Sequence, residues 1–169
     1  MGYSSDTPAF DDLDQLDALL TDTRANDTRS VSDIDEARSV IATFRDNDGT
    51  GSWIGLDRAD VADRLLDLVG NPRLIRQGAL NLCGPAALLV MWASRDPLGF
   101  ATFATALYED GSADLGDLSI APKDTLLAQD YGSLSTGTFG ADWMLLSAIR
   151  NTDQPFWQSS WVGDPEQTL

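Results

Sequence analysis

The 169-residue chain contains no histidine. That removes Ser-His-Asp and Cys-His catalysis, and every His-ligated metal site, from what the chain does by itself. It has one cysteine, Cys83, so it holds no internal disulfide and gives no reading of redox compartment. Bases are scarce: ten Arg and one Lys (Lys123) stand against 24 Asp and three Glu, a formal net charge of −16. No nucleic-acid partner is expected on those numbers, because little is available to neutralise phosphates. An anionic membrane surface is disfavoured for the same reason. No apolar run reaches about 18 residues, so no membrane insertion is expected. The opening MGYSSDTPAFDD has neither a basic n-region nor an apolar h-region, so no Sec-type signal is expected there. The acidity itself has ordinary origins, in a GC-rich genome, a salt-adapted surface or colloidal solubility. Its functional origin would be an acid-lined binding face.

What is present suffices for a core: 43% of the residues are apolar. Residues from Ala9 to about Arg24 carry Phe10, Leu13, Leu16, Leu19 and Leu20 at helical spacing, with Asp11 and Asp12 near the start. Ser32 or Asp33 caps a second helix, IDEARSVIATF, with Ile34, Ala37, Val40, Ile41 and Phe44 inward. After the turn-rich RDNDGTGSWIG, a third helix runs from about Asp57 to Val69, ended by Gly70 and Pro72. Residues 1–70 hold 16 acids and 6 bases; residues 71–169 hold 11 and 5, with most of the aromatics. We therefore expect an acidic helical region over 1–69 and a second unit over 70–169. Within the second, LCGPAALLVMWAS is apolar all round and predicts the core helix, from Cys83 to about Ser94. GFATFATALYEDG predicts another helix stopped by Gly111, DLGDLSIAP a strand, YGSLSTGTFG a loop and ADWMLLSAIRNT a final helix. The expected fold class is α+β, mainly α in this chain.

The stretch around Cys83 carries the most chemistry. Gly84 and Pro85 follow the thiol, and Pro suits a first helical turn. A thiol there meets the positive end of the helix dipole and free N–H groups, which favour thiolate. Gln77 lies six residues upstream. Its amide, with the Cys83 backbone N–H, could donate to a developing oxyanion.

The pattern Gln77-Gly78, then Cys83-Gly84-Pro85-Ala86-Ala87, resembles the papain-like cysteine peptidase superfamily. It is most similar to the bacteriocin-processing peptidases and to papain-fold domains of bacterial toxins and effectors. The resemblance covers residues 70–100 and extends more weakly to about 160. It implies that 70–169 is the helical left lobe of a papain-like fold, preceded by a helix–loop–helix segment. It implies Cys83 as nucleophile and Gln77 as oxyanion donor, acting by acyl transfer on an amide of a protein or peptide. It implies a bacterial protein, cytoplasmic or exported by a dedicated non-Sec system. It also implies a general-base His from a downstream β-rich lobe, and this chain has no His and reaches GDPEQTL where that lobe would begin. Without the base the thiol loses its ion-pair partner and the leaving group its acid, so the chain alone is expected to be inactive. Three explanations stay open: a fragment, an inactive relative, or a second polypeptide supplying the missing lobe.

A second motif spans residues 46–57. Asp46, Asp48 and Thr50 fall at positions one, three and five of a twelve-residue EF-hand frame, and Gly51 at six. Ser52 would offer its carbonyl at seven and Asp57 its carboxylate at twelve, in place of the usual Glu. Calcium is therefore a candidate ligand; a plain Asx-turn loop is the alternative. Asp142, Trp143, Trp157 and Trp161 are candidates for a peptide-binding surface, and otherwise for core. Two rivals to the hydrolase reading remain. One is a non-enzymatic protein-binding module, and the other a calcium-responsive helical protein built on residues 34–69.

Overall fold

The computed structural model describes residues 32–152 and Asp164. The helix expected over 9–24, and Trp157 and Trp161, lie outside the described residues. Helix α1 spans residues 32–45. Then come α2 (Arg58–Gly70), α3 (Cys83–Arg95) and α4 (Pro97–Asp110). A hairpin of β1 (Ala113–Leu115) and β2 (Leu118–Ile120) follows, then the short turn α5 (Asp124–Leu127) and α6 (Gly140–Thr152). The architecture is mainly helical with one small antiparallel sheet. Its register pairs Ala113 with Ile120 and Leu115 with Leu118. DLGDLSIAP thus makes two strands around a tight turn rather than the one expected, with Gly116 at φ 63° taking the left-handed turn position.

Helix boundaries follow local chemistry. Asp57 caps α2, its side chain accepting from the Asp60 N–H. Asp96 caps α4 by accepting from the Gly99 N–H, and Pro97 takes the first helical position. Gly111 closes α4 in the left-handed conformation at φ 72°. No helix of the described residues is long and apolar enough to cross a membrane.

The centre of the molecule is α6. Every residue from Ala141 to Ala148 is buried, and Asn151 as well, and α6 touches α2, α3, α4, α5 and β2. The expectation that the Cys83 helix is the core helix is therefore corrected. In α3 only Leu89 and Ala93 are buried, while Met91 is 53% exposed and Leu88 37%. An apolar segment is central only if neighbours pack on all its sides, and among the described residues α3 has them on one side. Its covered face meets α4, where Trp92 packs edge-on against Phe100 and Phe103. The composition change near residue 70 marks no gap in packing. Ala37, Ile41 and Phe44 of α1 share one core with α2, α4 and α6.

Two of the three buried polar side chains of α6, Asp142 and Asn151, have partners, while the Ser147 hydroxyl has none among the described residues. The Asp142 carboxylate accepts from Arg64 Nε at 2.7 Å and from the Arg76 N–H at 3.0 Å. Asn151 Oδ1 accepts from the Lys123 N–H at 2.7 Å. Asp142 and Trp143, expected as candidates for a peptide-binding surface, are both fully buried. Trp143 packs edge-on against Trp53. They belong to the core.

Candidate functional site

The link that carries Gln77 to Cys83 is built from the buried ion pair outward. Arg64, on α2, is 8% exposed. It holds Asp142 through Nε and donates through Nη2 to the Leu74 carbonyl at 2.5 Å. The Arg76 carbonyl accepts from the Thr138 hydroxyl, also at 2.5 Å. Burial pushes the Asp142 carboxyl above the usual carboxylate range, with Arg64 and the Arg76 N–H pulling the other way. One buried pair thus fixes the start of α6 against α2 and the loop before Gln77.

Gly78 is the next fixed point. Its φ is 53°, and a Cβ there would stand 2.1 Å from the Thr136 carbonyl oxygen. That same carbonyl accepts from the Ala79 N–H at 2.8 Å. Only glycine lets the chain take this close antiparallel approach. A short 3-10 turn, Gly78–Leu80, follows. Asn81 then adopts the left-handed conformation at φ 54° and swings the chain into α3. Leu80 and Leu82 are buried on either side of Asn81 and anchor the link in the core.

Cys83 emerges as the first residue of α3, exposed, preceded by Leu82. No side chain caps this end of a 13-residue helix. The positive end of its dipole therefore faces the thiol and solvent. Gln77 is half-buried, and its Oε1 is buried with no hydrogen-bond partner. Gln77 and Cys83 stand at the two ends of this link, with five residues between them.

The second candidate site is arranged differently from its expected frame. Asp46 and Asp48 are exposed. Asp57 spends its carboxylate on the α2 cap. The Ser52 hydroxyl donates to the Glu109 carbonyl at 2.8 Å and its N–H to the Tyr108 carbonyl at 2.9 Å. Thr50 is exposed as well. A guanidinium already serves this loop. Arg58 donates to the Gly49 carbonyl at 2.7 Å and to the Phe44 carbonyl at 3.1 Å, and it pairs with Glu109. It also stacks 4.7 Å from the Phe44 ring centroid and 5.0 Å from that of Tyr108. Gly51 is required for another reason than a left-handed turn: a Cβ would stand 2.2 Å from the Tyr108 ring. Among the described residues no three or more His, Cys, Asp or Glu side chains form a group that could hold a metal ion. Asp46, Asp48 and Thr50 stand exposed, while Ser52 and Asp57 bond within the protein. They make a loop stapled to the end of α4.

One feature escaped the sequence reading. A cleft of about 470 Å3 lies between α2 and the start of α6, lined by Asp57, Asp60, Asp63 and Asp67. Tyr131 and Phe139 close its other side, and Arg64 stacks 4.0 Å from the Phe139 ring centroid. The signal was the recurrence of Asp on one flank of α2, three and four residues apart. It is separate from the Cys83 end of α3, whose residues do not line it.

No protein-family model, curated protein or solved structure matches this chain. The functional reading therefore stands on the residues themselves.

Proposed function

We propose that this chain is the helical, nucleophile-bearing part of a papain-like cysteine hydrolase site, of the kind found in bacterial toxin and effector domains. It would be completed by a His-bearing lobe from further polypeptide. One observation carries the reading: an exposed thiol on the first residue of an uncapped 13-residue helix, with Gln77 six positions upstream. In the completed site the Cys83 thiolate adds to an amide carbonyl carbon. The oxygen takes up the negative charge, and the Gln77 amide and Cys83 N–H donate to it. Collapse breaks the C–N bond, leaving a thioester on Cys83. The departing amine takes its proton from the general acid of the other lobe, which this chain, lacking His, does not supply. Water, or a second amine, then takes the acyl group. The partner is a protein or peptide.

A non-enzymatic binding module is the second reading, and the exposed Leu88 and Met91 of α3 favour it. Alkylation of Cys83 by iodoacetamide separates the two, with the urea-unfolded chain as the reference. The hydrolase reading expects the folded chain to react about twofold or more faster at pH 7, from a helix-dipole effect of roughly 0.3–1 kcal/mol. Equal or slower reaction when folded would overturn it and leave the binding module.

A further inference from the structure

We propose that residues 9–24 of this same chain dock along the exposed apolar face of α3. The proposal does not rest on Cys83 acting as a nucleophile.

The face itself comes first. Leu88 and Met91 lie one helical turn apart and stand open to solvent, with Ala87, next to Leu88, exposed as well. The exposed Leu74 belongs to the short turn that packs against α3. A chain of net charge −16 would not be expected to leave such a stripe bare.

Charge selects the occupant. In a chain with 27 acids, α3 has none. The exposed Arg73, Arg76 and Arg95 flank it, and none of the three forms an ion pair among the described residues, whereas Arg38, Arg45, Arg58 and Arg64 all do. This is the basic, apolar part of an otherwise acidic molecule. Residues 9–24 are its complement. They carry Phe10, Leu13, Leu16, Leu19 and Leu20 on one stripe, with five Asp and a single Arg around it.

The tether fits as well. Helix α1 runs parallel to α4. Asn47 donates to the Glu109 carboxylate, Phe44 packs edge-on to Tyr108, and Ser39 and Val40 share a cleft with Thr102 and Thr105. The start of α1 therefore lies toward the Pro97 end of α4, the corner where α3 ends. Residues 25–31 span at most about 25 Å. As a helix, 9–24 would be about 24 Å long, against about 20 Å for α3, and so would match it in length.

Cys83, the only thiol, sits at one end of this face and accepts a nitroxide label in the full-length chain. In the dilute labelled protein, amide NMR signals of residues 9–24 are expected to lose more than half their intensity. The paired substitution Leu88→Asp with Met91→Asp, at exposed positions, should restore them, and so should Leu16→Asp on the segment. Unbroadened 9–24 signals in the labelled wild type would overturn the proposal. Broadening of residues 153–163 in their place would give the face to the C-terminal segment. Broadening seen only in an unlabelled, isotope-enriched copy mixed with labelled chain would give it to a second molecule. Either result also overturns the proposal. None of these readings depends on the alkylation rate, so failure here and failure of the hydrolase reading are distinct.

Discussion

Replacing Arg64 with Met tests whether one buried ion pair organises the molecule. The substitution keeps an unbranched stem of similar length and removes the guanidinium. Asp142 is then left fully buried with the backbone N–H groups of Arg76 and of Asp142 itself as its remaining described donors, and the Leu74 carbonyl loses its Arg64 contact. Removing one partner of such a pair costs about 3–5 kcal/mol, because the other charge stays buried without compensation. For a chain of this size that is a fall in melting temperature of roughly 6–20 °C. The pH dependence has a definite sign. Burial already holds the Asp142 carboxyl above the usual carboxylate range, so folding favours its protonated form. Loss of Arg64 strengthens that preference. The deficit of the variant is therefore largest at pH 7 and shrinks as pH falls and Asp142 takes up a proton. Adding Asp142→Asn to Arg64→Met should recover part of the loss at pH 7. Urea unfolding followed by tryptophan fluorescence, at pH 7 and pH 5, reads all three. A deficit below about 1 kcal/mol, or one that does not change with pH, would refute the reasoning.

Two further outcomes follow from particular geometries. Gly78→Ala places a Cβ against the Thr136 carbonyl and forces φ 53° on an L-residue. Gly116→Ala meets only the conformational cost, roughly 1–2 kcal/mol, because nothing lies within 4 Å of its Cβ. Gly78→Ala should therefore be the more destabilising in thermal melts, and equal losses would contradict the packing described for the Gln77 link. Calcium at 1 mM should leave the melting temperature unchanged, since Asp57 caps α2 and Arg58 serves the 46–57 loop. A site with a dissociation constant near 0.1 mM would instead add about 1.4 kcal/mol, a rise of several degrees.

The helices were legible in the sequence because their signals are local. Asp57 and Asp96 as caps, Pro97 at a first turn and Gly111 at a stop act within four residues of where they stand. The uncapped start of α3 at Cys83 was legible for the same reason, from Cys83-Gly84-Pro85. The second strand of the hairpin was not, because three-residue strands are made by each other's hydrogen bonds and hardly by their own composition. The surroundings of the 46–57 loop were not legible for a physical reason: Arg58 and Glu109, 51 residues apart, meet there only after folding.

By itself, then, the sequence determined a mainly helical chain, the ends of most helices, and a thiol at a helix start. Which helix lies at the centre was decided by tertiary structure alone. The apolar run after Cys83 came to the surface, and ADWMLLSAIRNT, with Asp142, Ser147 and Asn151 in it, became the core. Hydropathy measures what a segment gains on leaving water. Whether it leaves depends on how many neighbours close around it. For α6 that required Arg64 and the Lys123 N–H, distant in sequence, to meet Asp142 and Asn151.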